Sequence, residues 1–157
     1  MKLTQYTSKY RLAGMLFLAA SLLWAAPALA DNAKTLAKAV QDRTAAVGMT
    51  EKWGIAVTAI HTAAAGNMVD FRYKVLDAQK AEALFSKKTR PHLIHQKTGK
   101  VLAVPRTAKV GPLMSSYHPK QDRIYWMFFG NQTKLVKPGD KVTVVIGEFK
   151  AENLVVQ

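Results

Sequence analysis

Val69-Asp70-Phe71-Arg72-Tyr73-Lys74-Val75 sets an apolar side chain at every second position with a charged one between each pair. Period-two alternation is the mark of an antiparallel strand with one face buried and one in water. Upstream, Trp53, Ile55, Val57 and Ala59 alternate with Gly54, Ala56 and Thr58, and His61 continues the first register. Gly66-Asn67 supplies a turn between the two runs, so residues 53–75 read as a hairpin with a somewhat long connection. Asp70 falls on the polar side, where pairing with a neighbouring cation is the simplest expectation.

Farther along, Ala78, Ala81, Ala83, Leu84 and Phe85 suggest one or two helical turns crossing between sheets. Pro91 to His95 and Val101 to Val104 flank Thr98-Gly99 as a short basic hairpin, which Pro105 stops. Val110 to Met114 reads as an edge or irregular stretch, because Pro112 cannot donate to a ladder. From Arg123 to Phe129 both faces are apolar, with Ile124, Trp126 and Phe128 on one and Tyr125, Met127 and Phe129 on the other. Such a strand is central and covered twice, or keeps one face for a partner. Lys137-Pro138-Gly139-Asp140 is a turn, Lys141 to Phe149 a strand, and Asn153 to Val156 a last one. About seven or eight short strands with regular turn signals predict an all-β, antiparallel sandwich. Its expected core contains Ile55, Val57, Phe71, Tyr73, Val75, Trp126, Phe128, Val142, Val144 and Ile146.

The N-terminal residues speak about location. Lys2, Lys9 and Arg11 precede an uncharged, Ala- and Leu-rich run from Leu12 to Ala30 that ends Pro27-Ala28-Leu29-Ala30. That order predicts a cleavable signal peptide over residues 1–30 and export to the periplasm, with the cut before Asp31. A retained transmembrane anchor is the alternative, and cleavage leaves no stable span. Residues 31–50 read as a short helical leader: Leu36, Val40 and Val47 recur at helical spacing, Asn32 could cap it and Gly48 end it. A disordered leader is the competing reading. The sandwich then occupies residues 53–157.

Cysteine is absent, which excludes disulfides, thiolate metal sites and thiol catalysis, and leaves packing alone to hold the domain. The first thirty residues carry three of the 23 basic side chains and none of the 10 acidic ones, so the remainder has net charge +10. No carboxylate occurs between Glu82 and Asp122, whereas Lys87, Lys88, Arg90, Lys97, Lys100, Arg106, Lys109 and Lys120 all do. This window predicts a positive field that attracts acidic proteins or anionic surfaces; the plainer reading is a solvated face that aids solubility.

Asp70-Phe71-Arg72-Tyr73, Pro105 through Pro112, and Leu135 through Val144 carry a resemblance over residues 53–157 to small exported bacterial domains with an immunoglobulin-like β-sandwich. That group has no firmly assigned activity, so the resemblance implies a fold and a location and no catalytic residue. The chain departs from antibody domains in lacking their inter-sheet cysteine pair. A cupredoxin-like sandwich stays open, without its usual cysteine ligand.

Chemistry is sparsely marked. Beyond the leader the serines are Ser86, Ser115 and Ser116, none in a Gly-x-Ser-x-Gly turn, so no enzyme is expected. His92, His95, Met114 and His118 could together hold copper, since imidazole and thioether suit that metal. Strand geometry opposes it, because residues three apart on a strand face opposite sides. Otherwise no cofactor is expected. Nucleic acid is set aside, as no recognised motif accompanies the basic window and export removes the chain from it. The function expected is therefore that of a non-catalytic binding or adaptor module docking an acidic exported protein or anionic envelope surface. Copper carriage is the alternative.

Overall fold

Phe71 and Tyr73 direct their rings to one side of their strand, and that choice organises the whole β region. The computed structural model describes residues 26–86, 88–115 and 118–157. The chain divides into two units, one up to Asp42 and one from Arg43 to Gln157. Helix α1 (Ala26–Trp53) crosses the division. In the first unit its Leu36 and Val40 are exposed; in the second, Met49 and Trp53 pack against the core. The expected signal segment lies outside the described residues except for Ala26 to Ala30, which are helical. Among the described residues no helix is long and apolar enough to cross a membrane.

The helix is longer than its spacing predicts and passes through Gly48 to end at Gly54. Gly48 has open space around it and only weakens the helix. Gly54 takes φ +62°, donates to Thr50 O at 3.0 Å, and accepts from the amides of Leu76 and Asp77 at 2.7 and 3.0 Å. A Cβ there would sit 2.7 Å from Asp77 O, so the stop requires glycine.

Strand β1 (Ile55–Ala63) pairs with β2 (Met68–Val75), and β2 with β7 (Ile124–Gly130), all antiparallel. A short helix α2 (Ala78–Ala81), capped by the Asp77 side chain, continues into a 3₁₀ turn (Glu82–Phe85) that buries Leu84 and Phe85. The second sheet has the order β4 (Val101–Ala103), β3 (His92–His95), β8 (Lys141–Ile146) and β9 (Phe149–Val155). A two-residue ladder of β5 (Arg106–Thr107) and β6 (Gly111–Pro112) lies on the path from β4 to β7. The chain is thus mostly β, with antiparallel sheets. Ile55, Phe71, Tyr73, Tyr125 and Phe129 from one sheet join Leu93, Val144, Ile146 and Phe149 from the other in one buried cluster.

Three details correct the sequence expectation. In β7 the buried side chains are Tyr125, Met127 and Phe129, not Trp126 and Phe128: Trp126 is 38% exposed and Ile124 55%. The cause is register, since Phe71 faces Met127 and Tyr73 faces Tyr125. Tyr125 tolerates the interior because its hydroxyl donates to His118 O at 2.7 Å and accepts from Lys120 N at 2.8 Å. In β1 an irregularity between Val57 and Ala59 shifts the pattern, so Ile60 is buried and Val57 only partly. Finally, Lys141 to Phe149 is two strands joined at Gly147, whose φ is +62°.

Candidate functional site

Leu84 and Phe85 are rooted in the core, and the chain leaving them makes a tight turn before β3. Ser86 O accepts from Thr89 N at 3.0 Å and from Thr89 Oγ1 at 2.7 Å. Gly147 packs against this turn, for a Cβ at Gly147 would meet the Thr89 methyl at 3.1 Å. Arg90 and buried Pro91 follow, and Arg90 O lies 3.2 Å from His92 Nδ1. Across from them the chain leaves β4 through Val104 and Pro105 into Arg106. Leu113 N donates to Pro105 O at 2.9 Å, and Met114 N to Pro112 O at 2.8 Å, which holds the returning segment alongside. Beyond it Ser115 N donates to Trp126 O at 2.8 Å and Phe128 N to Leu113 O at 3.0 Å, tying residues 113–115 to β7.

Between these two crossings lies a cleft of about 280 Å³. Ser86, Thr89, Arg90 and Pro91 line one side; Ala103, Val104, Arg106, Pro112 and Met114 line the other. Its composition is lopsided. Two guanidinium side chains and two hydroxyls meet an otherwise apolar lining, and no carboxylate lines it. Arg90 and Arg106 are exposed, and among the described residues neither has a carboxylate within 4 Å.

The β3–β4 hairpin sorts the rest of the basic window. His92 pairs with Ala103 and Ile94 with Val101, so Arg90 and Arg106 share one end of the hairpin. Lys97 and Lys100 are exposed at the other, where Lys100 borders a separate cleft with Leu102, Gln132 and Leu135. Lys88 is exposed beside Arg90, Lys109 on the β5–β6 turn, and Lys120 on the approach to β7. Lys87 lies outside the described residues. The window is therefore two basic ends rather than one face.

The structure does not bring the metal candidates onto one surface. In β3, His92 is half-buried on the face it shares with Ile94, and His95 is buried on the face it shares with Leu93. His95 Nδ1 lies 2.9 Å from Thr98 Oγ1, while its Nε2, buried without a hydrogen-bond partner, lies 3.5 Å from Asp140 Oδ2. His118 is exposed in the loop held by Tyr125, and Met114 lines the arginine cleft. Among the described residues no three His, Asp or Glu side chains group as metal ligands.

Asp70 does pair with a cation, although it is buried rather than solvated. Arg72 Nε and Nη2 each reach its Oδ2 at 2.9 Å, and His61 Nε2 lies 3.5 Å from the same oxygen. Tyr73 beneath has its phenol pushed well above the usual tyrosine range, by burial first and by the Tyr125 hydroxyl second.

The arginine cleft was open to anticipation from the sequence. With Thr98-Gly99 at the turn, pairing outward sets Pro91 and Pro105 near each other, and Arg90 and Arg106 with them. Thr89 and Met114 gave no such signal, because their approach depends on crossings between sheets. Comparison with protein-family models, curated proteins and solved structures finds no match to this chain.

Proposed function

We propose that the chain is an exported, non-catalytic binding module with an immunoglobulin-like sandwich, docking an acidic partner protein through the basic end at Arg90 and Arg106. The observation that carries this reading is that Arg90 and Arg106 both line a cleft with no carboxylate among its described lining residues. Unpaired guanidinium groups present fixed, planar donors matched to carboxylates, and a concavity favours a protruding acidic group over a flat charged surface. The sandwich assignment draws support from two antiparallel sheets sharing a core. Tyr125 adds to it, since a strand tyrosine bonded to an upstream carbonyl is a device such sandwiches use. Export rests on the order of charge, apolar run and Ala-x-Ala in residues 1–30.

Capture of exported proteins on the immobilised chain tests the docking. Retention should fall with salt, because exposed charges are screened over about 10 Å at 0.1 M. Arg90→Glu with Arg106→Glu should abolish it, while Lys97→Glu with Lys100→Glu should leave most of it. Equal loss from both pairs reduces the interaction to bulk charge and defeats the proposal.

A further inference from the structure

We infer that the cleft between Ser86, Thr89, Arg90 and Pro91 on one side and Ala103–Met114 on the other is a site for a carboxylate carried on a small apolar group. The inference rests on the docking reading and names the chemistry that the same end recognises. Its first support is size. At about 280 Å³ the cleft falls just below the range of drug-sized pockets. That size suits a small group held partly in solvent.

The lining supplies the second support. Val104, Pro112 and Met114 offer an apolar surface, with Met114 held in place by its bridge to Met127. Thioether and proline surfaces gain from a hydrocarbon body and nothing from a bare ion. Arg90 and Arg106 supply the opposite requirement, since guanidinium pairs with a carboxylate through two parallel hydrogen bonds. A purely inorganic anion leaves the apolar lining in water, and a neutral hydrocarbon gains nothing from the two arginines. Only a ligand with both parts uses the whole lining.

Two sources share this chemistry: a free short-chain acid, and the C-terminal residue of a polypeptide ending in a small apolar side chain. Titration of the protein with ¹³C-methyl methionine labelling separates them, because the Met114 methyl reports occupancy directly. The probes are 4-methylpentanoate and N-acetyl-leucine, each beside its neutral amide, with acetate and inorganic phosphate as bare anions. Both acids should shift the Met114 methyl saturably and bind at least about tenfold more tightly than their amides, the difference one lost charge-assisted contact makes. Arg90→Gln or Arg106→Gln should weaken them by a similar factor, and Lys97→Gln by less than about twofold. Preference for N-acetyl-leucine assigns the site to polypeptide ends, and preference for 4-methylpentanoate to free acids. Acetate or phosphate binding as well as the branched acids, or amides binding equally to them, overturns the inference. So does an unresponsive Met114 methyl in protein that still captures partners in an Arg90- and Arg106-dependent way, and that result leaves the docking proposal standing.

Discussion

Asn131 and Val136 are bonded to each other twice: Val136 N donates to Asn131 Oδ1 at 3.0 Å, and Asn131 Nδ2 donates to Val136 O at 2.8 Å. The second Nδ2 proton reaches Gly66 O at 2.9 Å, and Asn131 N reaches Asn67 O at 2.7 Å. One buried side chain thereby joins the loop after β7 to the turn between β1 and β2. That turn needs the support, for Ala64, Ala65 and Gly66 all hold positive φ. Left-handed geometry costs an alanine roughly 1–2 kcal/mol.

Replacing Asn131 with Ala should therefore lower stability by about 3 kcal/mol, as two buried backbone groups and one half-buried one lose their partner. Urea unfolding measures the loss, and amide exchange should accelerate first at Val136. Asn131→Asp should be no better at neutral pH, since a carboxylate cannot donate to the Gly66 and Val136 carbonyls. A loss below about 1 kcal/mol would show that water replaces the amide without penalty.

The two glycines of α1 should respond in opposite directions. Gly48→Ala meets no neighbour and should stabilise by about 1 kcal/mol, the difference in helix propensity. Gly54→Ala places a methyl against Asp77 O in a left-handed residue and should destabilise by at least about 2 kcal/mol. Thermal unfolding of the pair checks both signs. A neutral Gly54→Ala would mean that the junction of α1 and β1 is free to rearrange.

Phe71→Ala should cost about 3–5 kcal/mol, the range for a fully buried aromatic. Trp126→Ala should cost only about 1–2 kcal/mol, because its ring lies on the outer face against Phe128 at 5.2 Å between centroids. Chemical denaturation decides the order. Equal losses would return Trp126 to the core.

Alkali should weaken the fold through Tyr73. Its phenol is raised in the folded chain, so below the unfolded value near 10 both states are protonated and the contribution to stability is complete. Above that value the unfolded chain loses the proton first. Stability then falls with rising pH by about 1.4 kcal/mol per pH unit from this group. Urea midpoints between roughly pH 8 and 11 should decline less steeply in Tyr73→Phe than in the parent. Identical slopes would show that the phenol ionises in place.

The hairpins were legible because their signals are local. Alternation in Val69 to Val75 and the glycine turn at Thr98-Gly99 set those strands within a residue or two of their observed ends. The inward face of β7 was not legible. Tyr125-Trp126-Met127-Phe128 is apolar in both registers, and the choice depends on which residues Phe71 and Tyr73 meet. Hydrophobicity favours tryptophan over tyrosine inside, while the hydrogen bonds at the Tyr125 hydroxyl reverse that order. The helix stop was misplaced for a similar reason. Gly48 and Gly54 look alike until Asp77 is seen pressing on one of them. Charge gave the basic window correctly as composition, and the hairpin then carried its arginines and two of its lysines to opposite ends.

The last residue has a consequence for association between molecules. Gln157 N donates to Ile60 O at 3.0 Å, and Thr62 N donates to Gln157 O at 3.0 Å, so the free edge of strand β1 is occupied there by residue 157. A bare strand edge is a template on which a second molecule can add its own strand. A variant lacking Val156 and Gln157 would uncover that template and remove a buried valine. Loss of these two residues would then let one molecule order strands of its neighbours.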